Sequence, residues 1–471
     1  MIGMQETYEN IDFVVSNNKD IKKVVVIPLN TCLSLKSFES IKTRMGVKVL
    51  SSKTGKFLIN LNKIIGNYKK SKSDNIIRFK DNLFLRLIKE YNNTTDTFKM
   101  PNNDRYITVK QFLKDGENTE LVNDYNTIST IIHTGGTTGV GKSTLLSHQN
   151  INRNDDAFEA TIQDFERGDT IITIPPLFHI LGLNNCIELI LRNGGKIVLI
   201  SKYRKSDLPA IFKKHHPELL FGVPKIGKDI ITVNGFENVD MSHLKYYVLG
   251  GEEMSKQFID SSSNFLHNHG AKIDVSQSLG GTEGSCSYTN TFANCNVHGS
   301  IGIPLINVNV KIVKEDENGN IIEAKYNEYG EICFSGDSIM VGYLKDDDNN
   351  KKALKKHNDD KIWLHTGDCG YIDENGILFF VDRIKDMFKI NGEQVYPSEI
   401  KKVILLHPMV KECSVICVET EEISKRIVAA ITLKDDNLNY QVVKNEILEL
   451  CNHNLKRESI PQFIDIQETL P

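Results

Sequence analysis

Short apolar runs alternate with stretches of helical spacing along most of this chain, and the alternation becomes regular only beyond Ile128. Lys22 to Leu29 reads as a strand. The polar, lysine- and asparagine-rich region that follows, to about Asn126, carries few periodic signals. The pattern then predicts a strand at Ile128 to His133, a glycine loop, and a helix from about Ile151 to Phe165. Strands at Thr170 to Ile174 and Lys196 to Ile200 flank a helix at Leu181 to Leu191. Alternation of this kind implies an α/β body, a largely parallel sheet with helices on its faces.

Between Leu305 and Val341 the rhythm shifts to short alternating strands, such as Val308 to Val313 and Glu331 to Ser335, broken by the turn Asn318-Gly319-Asn320. A small antiparallel subdomain over about 305–380 is expected there. The tail from about Asp386 predicts a helix at Pro397 to Leu406, strands at Ser414 to Val418 and Ile427 to Leu433, and a helix from Tyr440 to Asn452. That is enough for a small α+β domain, bounded by the charged run Asp382-Arg383-Ile384-Lys385-Asp386.

At 471 residues the chain exceeds what one core normally supports, so at least two domains are expected. The net charge of -4, with both signs interspersed and no sustained basic block, argues against nucleic acid as a partner. No apolar run approaches the roughly 18 residues that span a bilayer, and the polar start Met1 to Asn10 has no signal-like core. Nine cysteines without a Cys-x-x-Cys pair read as free thiols of a reducing, cytoplasmic setting.

The densest chemistry lies in Thr134-Gly-Gly-Thr-Thr-Gly-Val-Gly-Lys-Ser-Thr144. Glycines there free backbone N–H groups to point at phosphoryl oxygens, and Lys142 adds a mobile cation. Gly136 to Ser143 also satisfies the Walker A pattern, with Ser143 as the magnesium ligand. A P-loop nucleotidase further needs an apolar strand ending in a magnesium-binding Asp. The runs Thr170 to Ile174 and Tyr246 to Leu249 end instead in Pro175-Pro176 and Gly250-Gly251.

Further clusters follow apolar runs, where ligand sites form in open parallel sheets. They are Pro175 to Leu183, Leu249-Gly250-Gly251-Glu252-Glu253, Gln277 to Gly284, Gly299 to Pro304, Gly342-Tyr343, Trp363 to Asp368, and Asp382 to Asp386 followed by Lys389 to Gly392. In this order they resemble the adenylate-forming superfamily of acyl- and aryl-CoA synthetases, luciferase and peptide-synthetase adenylation domains, from about Lys22 to Pro471. That family's phosphate loop commonly reads T-S-G-T-T-G-x-P-K-G. Gly135, Gly141 and Ser143 depart from it, and the last two create the Walker match.

The resemblance implies an adenylation body over 1–383 and a small mobile domain over 384–471, with a hinge near Lys385. It implies ATP, Mg2+ and coenzyme A as partners of a carboxylic acid. Thr134, Gly136, Thr137, Thr138, Gly139 and Lys142 would hold the beta and gamma phosphates. Thr282 would touch the alpha-phosphate, Glu283 would bind the metal, and Gly250, Gly251, Glu252, Leu279 and Gly280 would border adenine. Leu279 stands where the family commonly has a stacking aromatic. Asp368 would accept the ribose hydroxyls with Arg383 beside it, and Lys389, Asn391 and Gly392 would approach the thiol channel. His179, in a Phe-His-x-x-Gly-Leu setting, would line the acyl channel of a fatty or aromatic acid.

Each of these residues has a plainer local description as well. Thr282-Glu283 suits a helix cap, Asp368 an Asx-turn, and His179 a satisfied core histidine. Two departures from the family also bear on activity. The phosphate loop arrives near residue 134, so the usual opening repeats are expected to be missing, and an exposed sheet edge there needs altered packing or another chain, as in a homodimer. The sequence Pro461 to Pro471 stops at the Leu-Pro pair that precedes the family's carboxylate-pairing lysine, so slow adenylation is expected. Three functions follow from these features: an acyl- or aryl-CoA ligase, a stand-alone adenylation enzyme loading a carrier protein, or a weakened nucleotide-binding homologue.

Overall fold

The computed structural model describes residues 124–134, 141–200, 203–291, 296–297, 299–318, 320–419, 425–435 and 439–470, with three short strands before them. The chain forms two compact units, 1–123 and 124–471. In the first, Ile2–Met4, Val24–Ile27 and Tyr106–Thr108 make a parallel three-stranded sheet. Val24–Ile27 is the central part of the strand expected at Lys22 to Leu29.

The second unit is built on a five-stranded parallel sheet, ordered Ser276–Ser278, Tyr246–Gly250, Leu219–Gly222, Thr170–Thr173 and Lys196–Leu199. Neighbouring residues of a strand point to opposite faces, and both faces here are covered. Ile171, Leu219, Phe221 and Val248 join one core, while Ile172, Leu220, Tyr247 and Leu249 join another. That two-sided burial explains why these strands read as unbroken apolar runs.

The segment around the glycine loop departs from expectation. Ile128–His133 is followed by a second strand, Ser143–Ser147, which returns antiparallel to it, and Gly342–Tyr343 adds to the far edge. The helix then starts at His148 and ends at Glu159, earlier at both ends than the periodicity suggested. Its start is fixed by a capping box, in which Ser147 accepts from Asn150 N–H and the Asn150 side chain accepts from Ser147 N–H. The Walker reading fails on this geometry, because a P-loop runs from its strand directly into a helix at the Lys-Ser pair. Here Ser143 sits in a strand with its hydroxyl against His133 Nδ1 at 3.1 Å.

The expected helix at Leu181 to Leu191 is a π-helix over Leu181–Glu188 that continues as an α-helix over Leu189–Arg192. Beyond residue 302 lies a six-stranded antiparallel sheet of Asn309–Glu315, Ile321–Glu323, Gly330–Ser335, Leu354–Lys356, Ile362–Ile372 and Leu378–Arg383. After a hairpin of Phe388–Ile390 and Glu393–Val395, helices Pro397–Ile404 and Tyr440–Asn454 pack with strands Val410–Val418, Arg426–Leu433 and Phe463–Ile466. Val395, Ile400, Ile427, Ile431, Ile447 and neighbours form a core of their own there. The α/β body, the antiparallel sheet and the terminal α+β portion are those expected from the sequence.

Among the described residues no helix is long and apolar enough to cross a membrane. The seven described cysteines are free thiols.

Candidate active site

A cavity of about 1250 Å³ opens at the carboxyl ends of the parallel strands and gathers most of the predicted residues. Lys142 directly precedes the strand Ser143–Ser147, Glu283 lies in the Thr282–Gly284 turn, and Asp368 comes from the long strand of the antiparallel sheet. The neck of the glycine loop is closed by Thr134 N–H donating to Lys142 O at 2.8 Å and Lys142 N–H donating to Thr134 Oγ1 at 3.3 Å. Gly136, Thr137, Thr138 and Gly139 lie outside the described residues.

Lys142 and Glu283 meet through a side chain that was not among the candidates. Lys142 Nζ donates to the Tyr343 hydroxyl at 3.0 Å, and that hydroxyl donates to Glu283 Oε1 at 2.8 Å. The ammonium also lies 4.3 Å from the Tyr343 ring centroid. Burial and the Glu283 charge push the Tyr343 phenol well up, so it stays protonated and keeps its donor. The pair Gly342-Tyr343 was visible in the sequence, but only the edge pairing with Ser143–Ser147 brings it to the lysine.

Thr282 is buried and Glu283 faces the cavity. The turn that carries them starts at Gly281 with no side-chain cap, so the helix-cap description does not hold. It is held from behind. Asn154 Nδ2 donates to the carbonyls of Gly284 and Ser287, and Asn184 Nδ2 to that of Ser285. The π-helix thus delivers a buried amide to the turn beside the candidate metal ligand.

Asp368 is buried, with Arg383 Nη1 2.9 Å from its Oδ1. The pair is close but not aligned as a hydrogen bond, and Oδ1 accepts none among the described residues. Burial raises the Asp368 pKa to about 6, and Arg383 opposes the rise. A buried acceptor left open toward a cavity is unfavourable unless a donor arrives, and ribose hydroxyls are such donors. Asp368 makes no Asx-turn; its own N–H donates to Thr366 Oγ1 at 3.1 Å.

Gly250, Gly251, Glu252 and Gly280 line the same cavity, but Leu279 does not. Its side chain is half-buried and packs against the main core, between Ser278 and Gly280, which do line the cavity. His179 is exposed to the cavity and is no core residue. Its Nδ1 accepts from Leu181 N–H at 3.2 Å, and desolvation lowers its pKa. The neutral ring therefore carries its proton on Nε2.

Lys385 lines the cavity in the turn that follows Leu378–Arg383. The three thiol-channel candidates are elsewhere. Lys389 and Asn391 line a second cavity of about 660 Å³ with Lys425, Arg426 and Arg457. Asn391 and Gly392, with φ of 51° and 87°, form the two-residue loop of the hairpin, a position that selects Asn-Gly for its left-handed backbone. In this arrangement they are not brought to the main cavity.

The pattern of the AMP-binding enzyme family matches residues 23–344, and that of the AMP-binding enzyme C-terminal domain matches residues 399–471. The chain belongs to the AMP-binding enzyme family. Among relatives of this AMP-binding chain is a long-chain-fatty-acid–CoA ligase of Yersinia pestis, 32% identical over 346 residues, which covers 72% of this chain and 58% of the ligase. Another is 4-coumarate-CoA ligase 1 of Narcissus pseudonarcissus, 28% identical over 361 residues, covering 75% of this chain and 63% of that enzyme. The chain thus spans less than two thirds of the length of these relatives.

Solved AMP-binding structures share the fold. O-succinylbenzoate coenzyme A synthetase from Bacillus subtilis, in complex with AMP, aligns with a TM-score of 0.63 at 23% identity, over 95% of this chain and 80% of that one. ATP-bound MatB from Rhodopseudomonas palustris aligns with a TM-score of 0.67 at 20% identity over the same shares.

Proposed function

We propose that this chain binds ATP and activates a carboxylic acid, fatty or aromatic, as an acyl-adenylate that is passed to the thiol of coenzyme A. The observation that carries the reading is one cavity lined by Lys142, Glu283, Asp368 and Arg383 together. A cation with a carboxylate suits a polyphosphate and its metal, and a buried carboxylate beside an arginine suits a sugar. Family membership and two CoA-ligase relatives support the same reaction class.

In this reading Asp368 accepts the ribose hydroxyls, while Lys142 leaves Tyr343 to neutralise charge on the departing pyrophosphate. Glu283 would hold Mg2+, which supplies further charge neutralisation at the phosphates. Thr282 donates toward the alpha-phosphate. His179, neutral with an Nε2 donor, stands beside the apolar Leu181 and Ile180 at the acid end of the cavity. The acid's carboxylate is the attacking group, and an apolar wall with one hydrogen-bond donor suits a carbon-rich acid over an amino acid.

Residues 384–471 form the small domain in this proposal, pivoting near Lys385. Its separate core and the tight turn at residues 383–387 support that assignment. Rotation about this hinge would carry the Asn391-Gly392 hairpin from its present place toward the thiol path.

Incubation with ATP, magnesium, coenzyme A and a mixed acid library, followed by mass detection, tests the proposal. Acyl-AMP together with acyl-CoA supports it. Adenylate without the CoA product would transfer the second step to a carrier protein, and absence of both products would overturn the enzymatic reading.

A further inference from the structure

The ladder between Gly330–Ser335 and Ile362–Ile372 is interrupted next to the cavity. Glu331 pairs with Cys369 and Cys333 with His365, so Ile332 alone on one strand stands opposite Thr366, Gly367 and Asp368 on the other. Such a bulge removes residues from regular pairing and re-aims the chain. Here it lifts Thr366-Gly367-Asp368 out of the ladder, and the freed backbone groups need other partners.

Glu331 supplies one of them with one oxygen and anchors a histidine with the other. Gly367 N–H donates to Glu331 Oε1 at 2.9 Å, and His365 Nδ1 lies 2.6 Å from Glu331 Oε2. His365 Nε2 in turn faces His357 Nε2 at 2.9 Å. A proton on His365 Nδ1, held by the carboxylate, leaves Nε2 as the acceptor for His357 Nε2–H. Every member of the chain is then satisfied. His357 is braced by stacking on Trp363, whose ring carries Lys311 at 3.9 Å from its centroid. The His365 side chain is 4% exposed, and it and Glu331 border the cavity.

Two further bonds close the turn. Thr366 Oγ1 donates to Ile332 O at 2.7 Å, and Ile384 N–H donates to Gly367 O at 2.9 Å. Gly367 itself has φ of 72°, a left-handed backbone that sends the following carboxylate into the cavity.

We infer that Glu331 and His365 are positioning residues for the nucleotide sugar: they fix the bulged Thr366-Gly367-Asp368 turn and so aim the Asp368 carboxylate. The inference rests on the proposed reading that Asp368 holds the ribose. The Glu331 and His365 side chains both line the same cavity, and in this proposal they act through the turn rather than on the sugar itself. Loosening the turn therefore weakens recognition of the sugar hydroxyls while the phosphate contacts at Lys142 remain.

The test is calorimetric binding of ATP and of 2′-deoxy-ATP to the full chain, comparing the natural protein with Glu331→Ala, His365→Leu and His365→Asn. Both nucleotides are measured on each sample, so the ratio of their affinities is unaffected by a loss of folded protein. The natural protein prefers ATP. Glu331→Ala and His365→Leu weaken ATP by about tenfold, the scale of one lost hydrogen bond to a charged group, and bring the ratio toward one. His365→Asn, which keeps a donor near the Nδ1 position, retains most of the preference.

A natural protein that binds neither nucleotide, or binds both alike, overturns this inference together with the ribose reading. A natural protein that discriminates, with variants that keep its ratio, overturns this inference alone. Equal weakening of both nucleotides in the variants likewise assigns Glu331 and His365 a structural role only.

Discussion

The Lys142 ammonium rests on the Tyr343 hydroxyl at 3.0 Å, and the same hydroxyl donates to Glu283 at 2.8 Å. One phenol thus holds the candidate phosphate cation and the candidate metal ligand at a common point. Removing it in Tyr343→Phe keeps the ring under the lysine but breaks both bonds. The expected result is a fall of about tenfold in kcat/KM for ATP, as for one hydrogen bond to a charged group. Lys142→Ala should cost about a hundredfold or more, the loss typical of a donor to transition-state charge. Pyrophosphate release with an accepted acid measures both, and equal rates for Tyr343→Phe and the natural protein would remove Tyr343 from the site.

If Asp368 holds the ribose as proposed, it sets a pH limit on nucleotide binding. Burial raises its pKa to about 6, so the carboxylate is ionised at neutral pH and takes up a proton as the pH falls through that value. Protonation removes the charge that attracts Arg383 and turns one oxygen into a donor, which weakens acceptance from sugar hydroxyls. ATP affinity is expected to decline with a midpoint near pH 6 and to be flat only from about pH 7 upward. Because Arg383 lowers the Asp368 pKa, Arg383→Ala should move the midpoint upward. Titration of ATP binding against pH for the two proteins checks this; a midpoint that moves down contradicts it.

The parallel body was legible because its strands are buried on both faces, as with Ile171 and Ile172, and so stand out as apolar runs. The strand Ser143–Ser147 was not, since its hydroxyl-rich start continues the glycine loop and lacks an apolar run of its own length. The resemblance singled out Lys142, Glu283 and Asp368, which the fold brings to one cavity. It gave no role to Tyr343, Glu331 or Asn154, whose importance depends on partners more than a hundred positions away or on a bulge that local spacing does not encode. Asn391-Gly392 shows the converse case. A pair chosen for a ligand path has a sufficient reason in hairpin geometry.

The ion pair between Lys402 Nζ and Glu253 Oε1, at 2.8 Å, joins helix Pro397–Ile404 to the segment after Gly251. Both side chains are substantially exposed, so solvent screening holds its contribution to roughly 0–1 kcal/mol. Lys402→Ala should leave thermal unfolding within about 2 °C of the natural protein, on the usual scale for domains of this size. A larger loss, seen by calorimetry at low and high salt, would show that the contact is part of a stronger network.

Asp155 gives the fold a pH dependence that is separate from the site. It is buried on helix His148–Glu159, and its Oδ1 has no hydrogen-bond partner among the described residues. Burial raises its pKa to about 8, opposed by Arg192 and reinforced by Glu188, Asp156 and Glu159. The folded chain therefore holds a proton that the unfolded chain, near 3.8, releases. Stability from this group is fully present below the unfolded value and is lost as pH rises toward the folded one. Asp155→Asn removes the titration with little change in shape. Its melting temperature should exceed that of the natural protein, and the gap should widen by at least about 3 °C between about pH 5 and pH 8.5, since each pKa unit corresponds to about 1.4 kcal/mol. A gap that stays constant across that range would mean that Asp155 does not keep its proton in the folded protein.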